Sequence, residues 1–309
     1  MANLTAESMV RAIAPIADAR LLVVIVLVGS LAGCSSMRPV STEQPRPSIT
    51  PAPVPTEPAD PTPILELAPG LTARGVVDPL ALAAAHETAL SSRSETVRLR
   101  RVVTYANGEL RSERTQVTKV NANRSRFYTA ITVDGSYPPF FGDRLEFYTD
   151  GETLIQATIM PNRSSFFRIP LERYREQNSI ENVISSPDAG QVFLLFATVE
   201  TRVVARVERP GRMQYRLRST RLVRPGTLAE AEDVDDPHNV SLTAVVDERG
   251  ILLEFTLRYD ATIDGRPVTV ISSGSHSAIG GTTVPRPNWL ELARNQTDQP
   301  ATAGLSAQG

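Results

Sequence analysis

Residues 95–120 read ETVRLRRVVTYANGELRSERTQVTKV, and this stretch decides the fold. Two runs rich in Val, Thr and Tyr, Glu95–Tyr105 and Leu110–Val120, flank the dipeptide Asn107-Gly108. A two-residue hairpin turn needs positive φ at its centre, and Asn-Gly accepts it readily, so the segment predicts a pair of antiparallel strands. The same pattern repeats down the chain. Asn121 to Asn123 turns, and Arg124–Val133 then alternates Phe127, Thr129, Ile131 and Val133 onto one face. Arg144–Tyr148 and Thr153–Met160 surround Asp150-Gly151, and Thr201–Glu208 and Met213–Val223 surround Pro210-Gly211. Ser241–Asp247, Leu252–Thr262 and Pro267–Ser275 complete about ten strands, with turns at Gly250 and Asp264-Gly265.

Upstream of this hairpin, Asp78-Pro79 opens a helix over Leu80–Leu90. Asp suits the N-cap, Pro suits the first helical position, and the following Ala and Leu residues are strong helix formers. Glu172–Ser185 and Gln191–Phe196 predict a helical insertion near the middle. The expected fold class is therefore α+β: a curved antiparallel sheet, a half-barrel of about ten strands, wrapping an N-terminal helix. Strands such as Tyr215-Arg216-Leu217-Arg218 put arginine on one side and apolar residues on the other. One face of the sheet is thus apolar and must be covered by helices, by a second sheet or by a ligand.

Further outward, the first 33 residues predict a secretory signal. Arg11 and Arg20 precede the apolar run Leu21–Val28, and small residues follow it. The stretch Leu21 to Gly33 is short for a bilayer span, which needs about 20 apolar residues. Met9 is an alternative start. Leu31-Ala32-Gly33-Cys34 resembles the lipobox of bacterial and archaeal lipoproteins, which implies cleavage before Cys34 and attachment of lipid to its thiol. Residues 34–69 form a Pro-rich tether, either a functional spacer or a linker whose length is immaterial; proline fixes φ and favours extended chain. The folded domain is expected over 70–294, and a polar disordered tail over 295–309.

Composition narrows function by exclusion. The 309 residues hold 32 Lys+Arg and 34 Asp+Glu, so the net charge of -2 argues against a nucleic-acid protein. A single Cys excludes a disulfide framework and a Cys-rich zinc site. Lys119 is the one lysine among the basic residues, a coding habit rather than a site. His86, His238 and His276 share no metal spacing, so no metal, no cofactor and no catalytic residue is expected. Gly274-Ser275-His276 lacks the nucleophile-elbow pattern, and the acidic run Glu230–Asp236 lacks the glycine of a calcium loop and reads as a solvated loop. Asn123, Asn162, Asn239 and Asn295 each open an N-glycosylation sequon. Tyr137-Pro-Pro-Phe-Phe141 is either an exposed apolar contact or a core plug.

Pro69-Gly70-Leu71, Gly75-Val76, Asp78-Pro79, Ala81–His86, Asp264–Val270 and Thr283–Trp289 resemble uncharacterised lipoproteins of halophilic archaea. More remotely, the order of elements, a helix followed by an interrupted antiparallel meander, resembles the LolA/LppX/LprG half-barrel. That resemblance implies a cavity for acyl chains. The expected function is an exported lipoprotein on the outer face of the cytoplasmic membrane or another envelope membrane, tethered through Cys34. It binds an apolar ligand, an acyl or isoprenoid lipid, without catalysis. The alternative is an adhesion or sensor module that binds another envelope protein through a sheet edge or the arginine-bearing face. Ala81, Ala84, Ala85, Phe127 and Phe147 are the candidate cavity lining, and Leu80, Leu82 and Leu90 are expected to touch the sheet.

Overall fold

The computed structural model describes residues 65–136, 144–160, 162–177 and 188–297. The signal segment, Cys34, the Pro-rich tether, Tyr137–Phe141, positions 178–185 of the expected central helix and the chain beyond 297 lie outside the described residues.

Three short strands come first: β1 (Glu66–Ala68), β2 (Leu71–Thr72) and β3 (Gly75–Val76), paired in that order. Gly70 turns between β1 and β2 at φ +72, and its carbonyl accepts from the amides of Val77 and Asp78. A Cβ there would lie 2.2 Å from the Asp78 carbonyl oxygen, so only glycine lets this turn sit on the start of the next helix. That helix is α1 (Pro79–Leu90). Asp78 Oδ1 accepts from the amides of Leu80 and Ala81, both at 3.0 Å, a cap worth about 1 kcal/mol.

Eleven strands form one antiparallel sheet. They are β4 (Glu95–Tyr105), β5 (Leu110–Val120), β6 (Phe127–Asp134), β7 (Arg144–Thr149), β8 (Thr153–Met160), β9 (Arg163–Pro170), β10 (Val199–Arg209), β11 (Arg212–Leu222), β12 (Asp235–Asp247), β13 (Leu252–Ile263) and β14 (Arg266–Ser277). Between β9 and β10 stand α2 (Leu171–Gln177) and α3 (Ala189–Ala197); α4 (Pro225–Glu232) precedes β12 and α5 (Leu290–Thr297) closes the described chain. The spatial order is β10-β11-β12-β13-β14-β4-β5-β6-β7-β8-β9. Two meanders, β4–β9 and β10–β14, are thus fused where the last strand of the second pairs with the first strand of the first. Among the described residues, strands β9 and β10 each have one neighbour, so the half-barrel is open.

A hairpin forms around Asn107-Gly108 and β4 and β5 have the expected bounds, but Gly108 alone of the two takes the left-handed region, at φ +87, and the turn is longer than two residues, closed by Tyr105 and Glu109. Three differences have local causes. Strand β9 was not legible: Arg163–Pro170 is an edge strand exposed along most of its length, so no face imposes an apolar alternation on it. The acidic run is not a loop but the end of α4 and the start of β12, and Glu232 is bound there by Arg101 Nε (3.1 Å) and by the Tyr259 hydroxyl (3.3 Å). Leu80 does not reach the sheet: it is 67% exposed, while Leu82, Ala83, His86 and Leu90 form the buried side of α1.

Candidate functional site

Directly paired residues of an antiparallel sheet share a face, so the register sorts every strand position. The inner row Leu217, Ala244, Phe255, Gly274 and Leu99 crosses five adjacent strands from β11 to β4. The next row along the strands, on the outer face, is Arg216, Val245, Glu254, Ser275 and Arg98. Beside it on the same face runs Arg218, Thr243, Thr256, Ser273 and Arg100.

On the inner face of the second meander, Leu82 and Ala83 of α1 join Val192 and Phe196 of α3 and Leu228 of α4. They pack on Leu217, Leu242, Tyr259 and Val270 of the sheet. A fully buried leucine of this kind contributes about 2 kcal/mol. On the inner face of the first meander, Phe127, Phe147, Val120, Leu145 and Leu154 form a separate cluster with Leu171 of α2. The structure therefore does not bring the candidate lining residues together. Ala84 is exposed, Ala81 and Ala85 are half-buried on α1, and Phe127 and Phe147 are 0% and 5% exposed within the other cluster. At Gly274, between the two clusters, a Cβ would meet Phe255 Cε1 at 2.3 Å and Leu99 Cδ2 at 2.9 Å, so the half-buried Phe255 and Leu99 side chains leave no room for a side chain at this position.

The outer face holds the concavity. A trough of about 840 Å³ runs across β10 to β5, lined by both outer rows, by Leu99, Leu217, Ala244, Phe255 and Gly274, which stand between those rows along the strands, and by Thr115, Val117, Val204 and Ala205 at its ends. Its charged groups are Arg98, Arg100, Arg216 and Arg218 against Glu254, and hydroxyls of Thr243, Thr256, Ser273 and Ser275 form the floor between the arginines. Arg100 Nε donates to Glu113 Oε1 at 2.7 Å, and that carboxylate holds the guanidinium above its ordinary value. Chemically, such a surface offers planar donors to carboxylates and hydroxyls to polar groups between them.

A buried polar cluster sits where the meanders meet. His276 Nδ1 donates to Glu95 Oε2 at 2.6 Å, the carboxylate being the acceptor, and Arg124 Nη2 donates to Glu95 Oε1 at 3.0 Å. The His86 ring lies 5.1 Å from that of His276, nearly perpendicular, and its Nδ1 accepts from the Leu252 amide at 3.1 Å. His276 Nε2 is buried without a hydrogen-bond partner among the described residues. This cluster ties α1, β4, β14 and the β5–β6 turn together. The two histidines stand far apart in the chain, so no sequence spacing announced their contact. His238 lies apart from them, exposed, with Nδ1 near the Asp236 carbonyl. Among the described residues no group of His, Cys, Asp and Glu could hold a metal ion.

The four sequon asparagines, Asn123, Asn162, Asn239 and Asn295, are all exposed. Asn239 Nδ2 donates to Asp260 Oδ2 at 3.0 Å, and with Thr269 Oγ1 it holds the Asp260 carboxyl below the usual carboxylate range. No helix among the described residues is long and apolar enough to cross a membrane.

No family model and no curated protein matches this chain. Among solved structures, a LolA superfamily protein from Nitrosomonas europaea is 11% identical, with 66% of this chain and 93% of that one covered at a TM-score of 0.23. A DUF1329 family protein from Desulfovibrio piger is also 11% identical, covering 68% of this chain and 94% of its own at 0.25. The MucA/MucB complex of Pseudomonas aeruginosa is similar at 16% identity, 69% of this chain and 60% of that one, at 0.28. At such scores the likenesses carry no argument of their own, and the fold of this chain rests on its strand order and register.

Proposed function

We propose that this chain is an exported protein, held at the outer face of the cytoplasmic membrane or another envelope membrane by lipid on Cys34, that binds a partner without catalysing a reaction. The observation that carries the binding site is the arginine-lined trough, left open while α1, α3 and α4 take up the apolar face. It favours recognition of another envelope protein through the arginine-bearing face over carriage of an acyl or isoprenoid lipid. A lipid carrier needs unfilled apolar space, and Leu82, Ala83, Phe127 and Phe147 are already packed against their own chain.

Two measurements on the full chain test this. Cys34→Ser moves the protein out of the membrane fraction or blocks processing, and intact mass of the wild type shows a lipid adduct; a mature chain without one refutes the anchor. Fluorescent fatty-acid and isoprenoid probes give no saturable uptake. Saturable uptake that survives filling of the trough by Thr256→Trp returns the carrier reading. A photo-crosslinker at position 243, in the trough, gives a discrete protein adduct in the envelope that the same group at exposed position 87 does not.

A further inference from the structure

Resting on the trough as the binding site, we infer that its partner is an extended acidic polypeptide segment, with carboxylates at both ends of a neutral stretch. The arginines stand in two pairs, Arg98 with Arg100 on β4 and Arg216 with Arg218 on β11. Four strand spacings separate β4 from β11, about 19 Å at about 4.8 Å each. An extended chain spans that distance in about six residues at about 3.3 Å per residue.

Three observations select the partner's chemistry. Arg98, Arg216 and Arg218, like many other arginines of the chain, form no ion pair among the described residues, and of the four arginines in the trough Arg100 alone reaches a carboxylate, that of Glu113. Cations that line a concavity uncompensated by their own chain call for anions from outside. Among the described residues Glu254 is the one acid lining the trough, and it lies midway along the row from Arg98 to Arg216. It repels a carboxylate placed over the floor, so the favoured guest is acidic at its ends and neutral in its middle. Beneath that middle lie the hydroxyls of Thr243, Thr256, Ser273 and Ser275, which can both donate to and accept from a guest backbone. The concavity also disfavours a planar anionic bilayer, which would meet only the rim.

The test is fluorescence anisotropy on the full chain in detergent, with the labelled peptide Asp-Asp-Gly-Ser-Gly-Ser-Asp-Asp. Saturable binding is expected, weakened about tenfold by Arg98→Gln and by Arg216→Gln, each of which removes one charge-assisted contact. Glu254→Gln tightens it, raised salt weakens it, and gathering the four Asp into one central block weakens it. Equal affinity for the blocked peptide overturns the end-spaced pattern. Equal affinity for the peptide with Asn at every Asp, abolished by Thr256→Trp, overturns the acidic class and leaves the trough as the site. Binding of the Asp peptide that Thr256→Trp does not change overturns both. Binding of anionic phospholipid vesicles with the same arginine dependence, or of no peptide at all by the folded protein, overturns the polypeptide partner.

Discussion

In the first meander, β4–β9, the outer face carries Tyr128, Tyr148, Ile155, Ala157 and Ile159, and the C-terminal segment closes it with Trp289, Leu290 and Ala293. In the second, β10–β14, the outer face carries Arg216, Arg218, Thr243, Thr256 and Glu254, and it stays open as a trough. The inner faces differ as well: three helices pack on the second meander, and α2 on the first. One strand architecture thus receives two finishes. Apolar outward residues require cover, because exposed apolar surface is costly, whereas outward Arg, Ser and Thr leave a surface free to meet a partner.

The comparison breaks most visibly at Trp289. Its indole Nε1 donates to the buried Glu146 Oε2 at 2.6 Å, and its ring lies 5.7 Å from that of Phe166. Trp289→Ala removes the cover of the first meander and leaves Glu146 without that donor; chemical denaturation should show a loss of about 4 kcal/mol. A loss below about 1 kcal/mol would mean that the first meander needs no cover.

Next in size is the seam between the meanders. Glu95→Gln removes the charge shared by Arg124 and His276 at a fully buried position, and a loss of about 3 kcal/mol is expected from the same measurement. If instead the two meanders unfold in separate transitions in wild type, the seam does not couple them.

Gly274→Ala sharpens the inner-face comparison. The new methyl group meets Phe255 and Leu99, and overpacking should lower stability by about 2 kcal/mol. A neutral or stabilising result, read by thermal melting, would reveal unfilled space there and favour an apolar ligand.

The smallest effect is in pH. Asp260 is held below the usual carboxylate range by the Asn239 amide and the Thr269 hydroxyl. A carboxyl lowered in the fold contributes stability that is present above its unfolded value, near 3.8, and lost as pH falls through the lower folded value. Thr269→Val should therefore lower the neutral plateau of a stability-against-pH curve slightly, leave stability below the folded value unchanged, and so flatten the acid limb between them. An unaltered acid limb would show that this hydrogen bond does not form in solution.

Much of the fold was legible because the cues were local. Asn107-Gly108 and Asp264-Gly265 each set a turn through their own backbone preferences, and Asp78-Pro79 set a helix start through a side-chain acceptor and a missing amide. Strand β9 was not, since an edge strand exposed along most of its length, with Phe166 and Ile169 alone half-buried, carries no imposed alternation. Nor was the site: the alternation of Arg216 and Arg218 was visible, but its partner row was not. Arg98 belongs with Arg216 only because Ser275, Glu254 and Val245 stand between them in register.

The sequence by itself determined ten strands of the large sheet and most of their turns, the capped first helix, the exclusion of a disulfide framework and a Cys-rich zinc site, and the alternation of arginine with apolar residues. Each of these depends on neighbours within a few positions, where backbone preference and side-chain period act directly. The tertiary structure alone decided that β14 pairs with β4, that Trp289 covers one meander while the other stays open, that His86 meets His276, and that two arginine pairs face the same trough. Those outcomes depend on strand register and on which faces compete for the same helices, and both are set by packing between residues remote in the chain.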